Sequence, residues 1–229
     1  MSRELKAIIF DFNGVIVDDE PLHLELIQRV LREEGVGLSD AQCRALSLGV
    51  PDHACFPALL QAGGQTQRAA DGDFVNELIA RKAAYYARSI AERDLLFPGM
   101  AQLIEDWAAR LPLALVSGAL RQEIEFLLGR SRLRQYFQTI IAAEDVRAGK
   151  PDPEGFLRAL AALKVYATIQ PAECLVIEDS LAGIEAAKRA GMFCVAVTNS
   201  YPVEQLKDAD VIVPSLSGLA PEAVFARLR

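Results

Sequence analysis

Ala7-Ile8-Ile9-Phe10-Asp11-Phe12-Asn13-Gly14-Val15 is a run of four apolar residues closed by a carboxylate and, three residues on, a glycine. A continuous apolar run, unlike an alternating one, suits a strand buried on both faces, as in a parallel sheet covered by helices. Ligands of such sheets gather at the carboxyl ends of the strands, so Asp11 faces a crevice. Gly14 lets the backbone turn tightly there and come close to a ligand. Taken alone, Asp11 can equally be a residue that caps a loop.

Outward from this stretch the same kind of run recurs at Leu113–Val116, Thr139–Ala142, Leu175–Ile177, Phe193–Val197 and Val211–Val213. Helical patterns separate the runs, at about Met100–Leu111, Arg121–Leu128, Pro153–Leu163 and Ala182–Ala190. Asp152-Pro153 supplies an N-cap followed by a first-turn proline, and Gly191 supplies a stop. Strand alternating with helix predicts an α/β fold with a doubly wound parallel sheet. One interval breaks the alternation: no strand-like run appears between Phe10 and Leu113. Pro21–Glu34 has Leu22, Leu26 and Val30 on one face, Ser39-x-x-Gln42 has the form of a capping box, and Asp73–Arg93 reads as a long helix. Residues 20–95 therefore form a helical insert after the first strand, leaving 1–19 and 96–229 as the α/β domain. The linkers fall near Val15–Asp19 and Arg93–Gly99.

A chain of 229 residues with 52% hydrophobic and 24% charged residues can bury a sizeable core. Its net charge of −7, without blocks of like charge, argues against nucleic acid or an anionic membrane surface as partner. Cys43, Cys55, Cys174 and Cys194 show no metal-binding spacing and suit buried, reduced thiols. No apolar run approaches the roughly 20 residues that span a bilayer, and no secretory leader is evident. A cytoplasmic location is expected.

Three further signals sit at or after predicted strands. Ser117-Gly118 follows Leu113–Val116 and offers a small hydroxyl and backbone N–H groups to a phosphate oxygen, although such a serine is also an ordinary turn former. Lys150 lies in Gly149-Lys150-Pro151-Asp152-Pro153, between residues that fix the backbone and can aim a compact cation. Glu178-Asp179-Ser180 follows Leu175–Ile177. Adjacent acids at a buried strand end repel unless a cation joins them, and Mg²⁺ takes carboxylate oxygens together with water and phosphate.

The ordered set DFNGV, Ser117, GKPDP and IEDSLAGIEAAKRAG resembles the four motifs of the haloacid-dehalogenase-like superfamily, in the branch of β-phosphoglucomutase and phosphoglycolate phosphatase. Val17-Asp18-Asp19-Glu20-Pro21-Leu22-His23 resembles the linker segment of that branch. The resemblance runs from Ala7 to about Thr198. It implies a Rossmann-like core, with residues 20–95 as a cap over it. Asp11 would be the nucleophile that forms an aspartyl-phosphate, and Mg²⁺ would be held by Asp11, the Asn13 carbonyl and Asp179, with Glu178 outside. Ser117, Gly118 and Lys150 would grip the transferring phosphoryl group. A small phosphorylated metabolite is the expected partner, and a monomer the expected state.

Asn13 departs from the pattern. Relatives usually carry there a second Asp that exchanges a proton with the leaving group and with water, which an amide cannot do. His23 or Glu20 is the candidate to take over, and His53 is a candidate substrate contact. Alternatively Asn13 is a trap that slows turnover, or the Asn13-Gly14 dipeptide deamidates to restore Asp. A dehalogenase fits poorly because its reaction needs no metal. A phosphonatase fits poorly because no lysine lies between Lys6 and Lys82 to form its Schiff base. A phosphomutase of the related sugar type would use an arginine near Gly49, where this chain reads Gly49-Val50-Pro51-Asp52-His53. The expectation is a Mg²⁺-dependent phosphatase of a small phosphate monoester, with a mutase or a turnover-impaired regulatory protein as alternatives.

Overall fold

The computed structural model describes residues 5–48, 50–164, 168–217 and 219. By internal contacts the chain forms two compact units, residues 1–18 with 96–229, and residues 19–95.

The first unit is built on a six-stranded parallel sheet: β1 (Ala7–Phe10), β2 (Leu113–Val116), β3 (Phe137–Ile141), β4 (Cys174–Glu178), β5 (Phe193–Val197) and β6 (Val211–Val213). Their spatial order is β3-β2-β1-β4-β5-β6, a doubly wound, Rossmann-like arrangement. The order reverses between β1 and β4, the switch point beyond whose strand ends such sheets bind ligands. Register brings three strands level there, because Phe10 pairs with Leu115 on one side and Ile177 on the other. Ala7, Ile9, Ala114, Val116 and Val176 pack with Phe156, Leu160 and Ile184 on one face of the sheet. On the other face Phe10 meets Trp107, with ring centroids 5.6 Å apart. Burial on both faces is why β1, β2, β4 and β5 read as apolar runs, whereas β3 carries the exposed Gln138.

Most expected boundaries move by a few residues, two of them for a reason the side chains show. β3 begins at Phe137, before the run that marked it, because Phe137 is itself buried and packs edge-on against Phe10. The helix after Lys150 spans Glu154–Leu163, with Pro153 just outside it. The N-cap position therefore falls on Pro153 and not on Asp152 as expected, while Asp152, one residue earlier, accepts from the Glu154 N–H at 2.9 Å through Oδ1.

The second unit is all helical: α1 (Glu20–Glu33), α2 (Asp40–Ser47), α3 (Asp52–Ala62), α4 (Thr66–Ala69) and α5 (Gly72–Glu92). Sequence sets their ends. The Ser39–Gln42 capping box forms, and Asp71 accepts from the N–H groups of Asp73 and Phe74 at 3.1 and 3.2 Å. Gly35, with φ 72°, follows α1. Ile27, Val30, Phe56, Leu59 and Leu78 form this unit's own core. All four cysteines are free and buried, Cys43 and Cys55 here and Cys174 and Cys194 in the sheet unit. No helix among the described residues is long and apolar enough to cross a membrane.

Candidate active site

Asp11 leaves β1 with its N–H donated to the Ile177 carbonyl at 2.9 Å, so the strand ladder fixes its backbone as far as the crevice. The chain then folds on itself. Ile16 and Val17 N–H groups return to the Phe12 carbonyl at 2.8 and 3.0 Å, and Gly14, at φ 73°, makes the turn. The glycine has a second reason. A Cβ there would lie 1.9 Å from Asp179 Oδ2, so only a bare backbone lets Asp179 occupy its place.

Lys150, in the loop after β3, reaches across the strand ends. Its Nζ donates to Asp11 Oδ1 at 2.5 Å, Glu178 Oε1 at 2.6 Å and the Val116 carbonyl at 3.2 Å. Glu178, wholly buried at the end of β4, is saturated on its other oxygen: Oε2 accepts from the Asp179 and Ser180 N–H groups and the Ser180 hydroxyl at 2.9–3.1 Å. Gly183 leaves room for it, since a Cβ there would sit 1.8 Å from Glu178 Oε1. Ser117 donates to Asn13 Oδ1 at 3.2 Å and accepts from the Ala119 N–H at 3.0 Å, so both side chains face the same crevice. Gly118 is exposed beside it.

Asp11, Glu178 and Asp179 each present an oxygen within 4.8 Å of the others, all three buried. Burial, and then repulsion from Glu178, outweighs Lys150 and pushes the Asp11 carboxyl up to about 7. Burial followed by repulsion from Asp11 and Glu178 pushes Asp179 up to about 8. Burial opposes the charge on Lys150, but Asp11 and Glu178 outweigh it and hold the ammonium above its ordinary range. Three hard carboxylates facing one ammonium therefore have a deficit of positive charge that a small divalent cation fits.

The other predicted residues lie in the helical unit and do different things there. His23 Nε2 is 3.2 Å from Asp19 Oδ2, and its ring stacks on Tyr86 at 4.7 Å. Tyr86 donates its hydroxyl to the same Asp19 oxygen at 2.7 Å, so this trio ties α1 to α5. His23 Nδ1 is buried without a hydrogen-bond partner. Burial raises the Glu20 carboxyl above its usual range. His53 is exposed on the first turn of α3, and Gly49 lies outside the described residues. Its neighbour Asp52 is bound to the buried Lys82 at 2.5 Å.

Sequence reasoning missed Asn199 and Ser200, in the loop after β5. Asn199 Nδ2 donates to the Gly14 carbonyl at 2.7 Å, and Ser200 Oγ donates to Asp179 Oδ2. The available signal was positional: both follow a buried parallel strand, as Asp11, Ser117 and Asp179 do.

A family model described as haloacid dehalogenase-like hydrolase matches residues 5–191. The chain is 34% identical to validoxylamine A 7'-phosphate phosphatase of Streptomyces hygroscopicus subsp. limoneus, over 93% of this chain and 94% of that one. It is 31% identical to β-phosphoglucomutase of Bacillus subtilis, over 95% and 93% respectively. Among solved structures, β-phosphoglucomutase from Clostridium difficile superposes with a TM-score of 0.79 at 26% identity, covering 98% of this chain and 97% of that one. With its sheet order and strand-end acids, the chain belongs to the haloacid dehalogenase-like hydrolase family.

Proposed function

We propose that this chain is a Mg²⁺-dependent phosphatase acting on a small phosphate monoester, a sugar phosphate, through an aspartyl-phosphate on Asp11. The observation that carries this reading is Lys150 joined to both Asp11 and Glu178, with Asp179 beside them at the switch point of the sheet. The names of the two relatives, a validoxylamine A 7'-phosphate phosphatase and a β-phosphoglucomutase, support the substrate class. Residues 20–95 serve as a cap that selects the substrate, with Glu20, His23 and His53 as its candidate contacts. The protein works in the cytoplasm as a monomer.

In this reading Asp11 attacks phosphorus, and Lys150 orients its carboxylate and neutralises charge on the transferring group. Ser117 and the backbone at Gly118 hold phosphoryl oxygens. Asp11, Asp179 and the Asn13 carbonyl would hold Mg²⁺, with Glu178 behind them, and the ion would offset the negative charge of phosphate and carboxylates. Glu178 keeps Lys150 and the Asp179 backbone in register. Asn13 holds its amide in the crevice through Ser117, but it moves no proton. The leaving oxygen therefore departs without help from that position, which favours acidic leaving groups. Hydrolysis of an aryl phosphate tests the reading. Activity should need Mg²⁺ and vanish in Asp11→Asn, and persistence of turnover in that variant would sink it.

A further inference from the structure

The loop after β5 does more than close the sheet. Among the three acids, every carboxylate already has at least one oxygen engaged by a protein donor. Lys150 takes Asp11 Oδ1, Glu178 is bound on both oxygens, and Ser200 takes Asp179 Oδ2. Asn199, one residue earlier, holds the Gly14 carbonyl at 2.7 Å. Asp179 is thus pinned from two directions: its Oδ2 receives the Ser200 hydroxyl and lies where a Cβ on Gly14 would be.

We infer that Ser200 is a positioning residue that keeps Asp179 a one-oxygen ligand, and so sets the preference of this site for Mg²⁺ over Ca²⁺. The inference rests on the Mg²⁺ reading above. Ca²⁺ takes about 6–8 oxygens at about 2.3–2.6 Å and favours carboxylates that chelate with both oxygens, whereas Mg²⁺ takes six at about 2.0–2.1 Å and keeps its waters. To chelate Ca²⁺, Asp179 would have to turn out of its Ser200 bond. Removing the hydroxyl lifts that restraint. It also loosens the carboxylate for Mg²⁺, which tolerates misalignment least. Groups that hold a metal ligand from behind typically change affinity by about 10–100-fold when lost.

The test is cation binding, measured by titration calorimetry and by thermal shift with Mg²⁺ alone and Ca²⁺ alone. It compares the full-length protein with Ser200→Ala and Ser200→Thr, and the melting temperature in chelator reports folding. The ratio of Ca²⁺ to Mg²⁺ dissociation constants should fall about tenfold or more in Ser200→Ala and return in Ser200→Thr, which keeps the hydroxyl. An unchanged ratio in Ser200→Ala overturns the inference and leaves the phosphatase reading standing. So does a Ser200→Thr ratio that follows the alanine variant. Should Ser200→Ala melt too low to titrate, Ser200→Cys, which keeps only a weak donor of similar size, must give a ratio below that of the wild type; a wild-type ratio overturns the inference. Failure of the wild-type protein to bind either cation overturns the Mg²⁺ reading itself.

Discussion

Lys150 is the cation within hydrogen-bonding reach of the wholly buried Glu178, with Nζ 2.6 Å from Oε1. The pair is structural as well as chemical. Removing one partner of a buried ion pair leaves the other charge uncompensated and typically costs about 3–5 kcal/mol. Lys150→Met should therefore lose stability of that order as well as activity. The double variant Lys150→Met with Glu178→Gln should regain part of it. Denaturant unfolding measures both, and a loss under about 1 kcal/mol in Lys150→Met would show that the Asp179 and Ser180 donors are enough to hold Glu178.

Much of the sheet unit was legible because its physics is local. β1, β2, β4 and β5 are apolar runs ended by a polar residue, and parallel order puts those endings on one edge, so Asp11, Ser117 and Glu178-Asp179 could be grouped without coordinates. The helical unit was less legible. Helix α3 carries Pro57 in its interior, a residue that reads as a break in sequence, and it persists because Phe56, Leu59 and Leu60 are buried around the proline. The Asp19–His23–Tyr86 trio joins positions 67 residues apart at its widest, a pairing no local spacing announces. Ser200 escaped for a related reason: a serine in a loop is ordinary until the sheet places it against Asp179.

The site should stabilise the fold in a pH-dependent way when Mg²⁺ is present. Asp11 and Asp179 are raised to about 7 and about 8, from the value of 3.8 they have when unperturbed. Without a cation the folded state binds more protons than the unfolded state over that interval. Stability from this pair is then full below the unfolded value and is lost as pH rises through about 7 to 8. Mg²⁺ binds the ionised pair and removes their repulsion, so the rise in melting temperature it gives should be small near about pH 5 and large near about pH 8.5. Thermal melts with and without Mg²⁺ read this directly. An equal shift at both pH values would mean the ion binds elsewhere.

Gly14 should tolerate no side chain. Alanine there meets a left-handed φ of 73° and places its Cβ 1.9 Å from Asp179 Oδ2. The backbone strain alone is about 1–2 kcal/mol, a loss the domain can survive. Displacement of Asp179 is the larger effect on function, and Mg²⁺ affinity should fall by about 10–100-fold while the protein remains folded. Calorimetric titration with Mg²⁺ checks it, and wild-type affinity in Gly14→Ala would show that Asp179 is not a ligand.

Asn13 offers the sharpest separation of proton transfer from the rest of catalysis. Its Oδ1 accepts from Ser117 Oγ, and an aspartate can accept in the same way, so Asn13→Asp should leave the turn intact. General acid–base assistance is worth about 10²–10⁴-fold, or roughly 3–5 kcal/mol. An aryl oxide leaves nearly unaided, whereas an alkoxide needs the proton. For the wild-type protein kcat/KM should therefore fall steeply as the leaving group becomes more basic. Asn13→Asp should flatten the slope by raising the alkyl esters about 10²-fold or more while leaving aryl phosphates within about tenfold. Attack of water on the aspartyl-phosphate also lacks a base at this position. Aryl phosphates should thus give the wild-type protein a burst of phenolate close to one per site before slow turnover, and Asn13→Asp should erase it. Parallel slopes in the two proteins would place proton transfer at another residue. The first to substitute would then be His23, whose Nδ1 lacks a partner, and Glu20, whose carboxyl burial holds above its usual range.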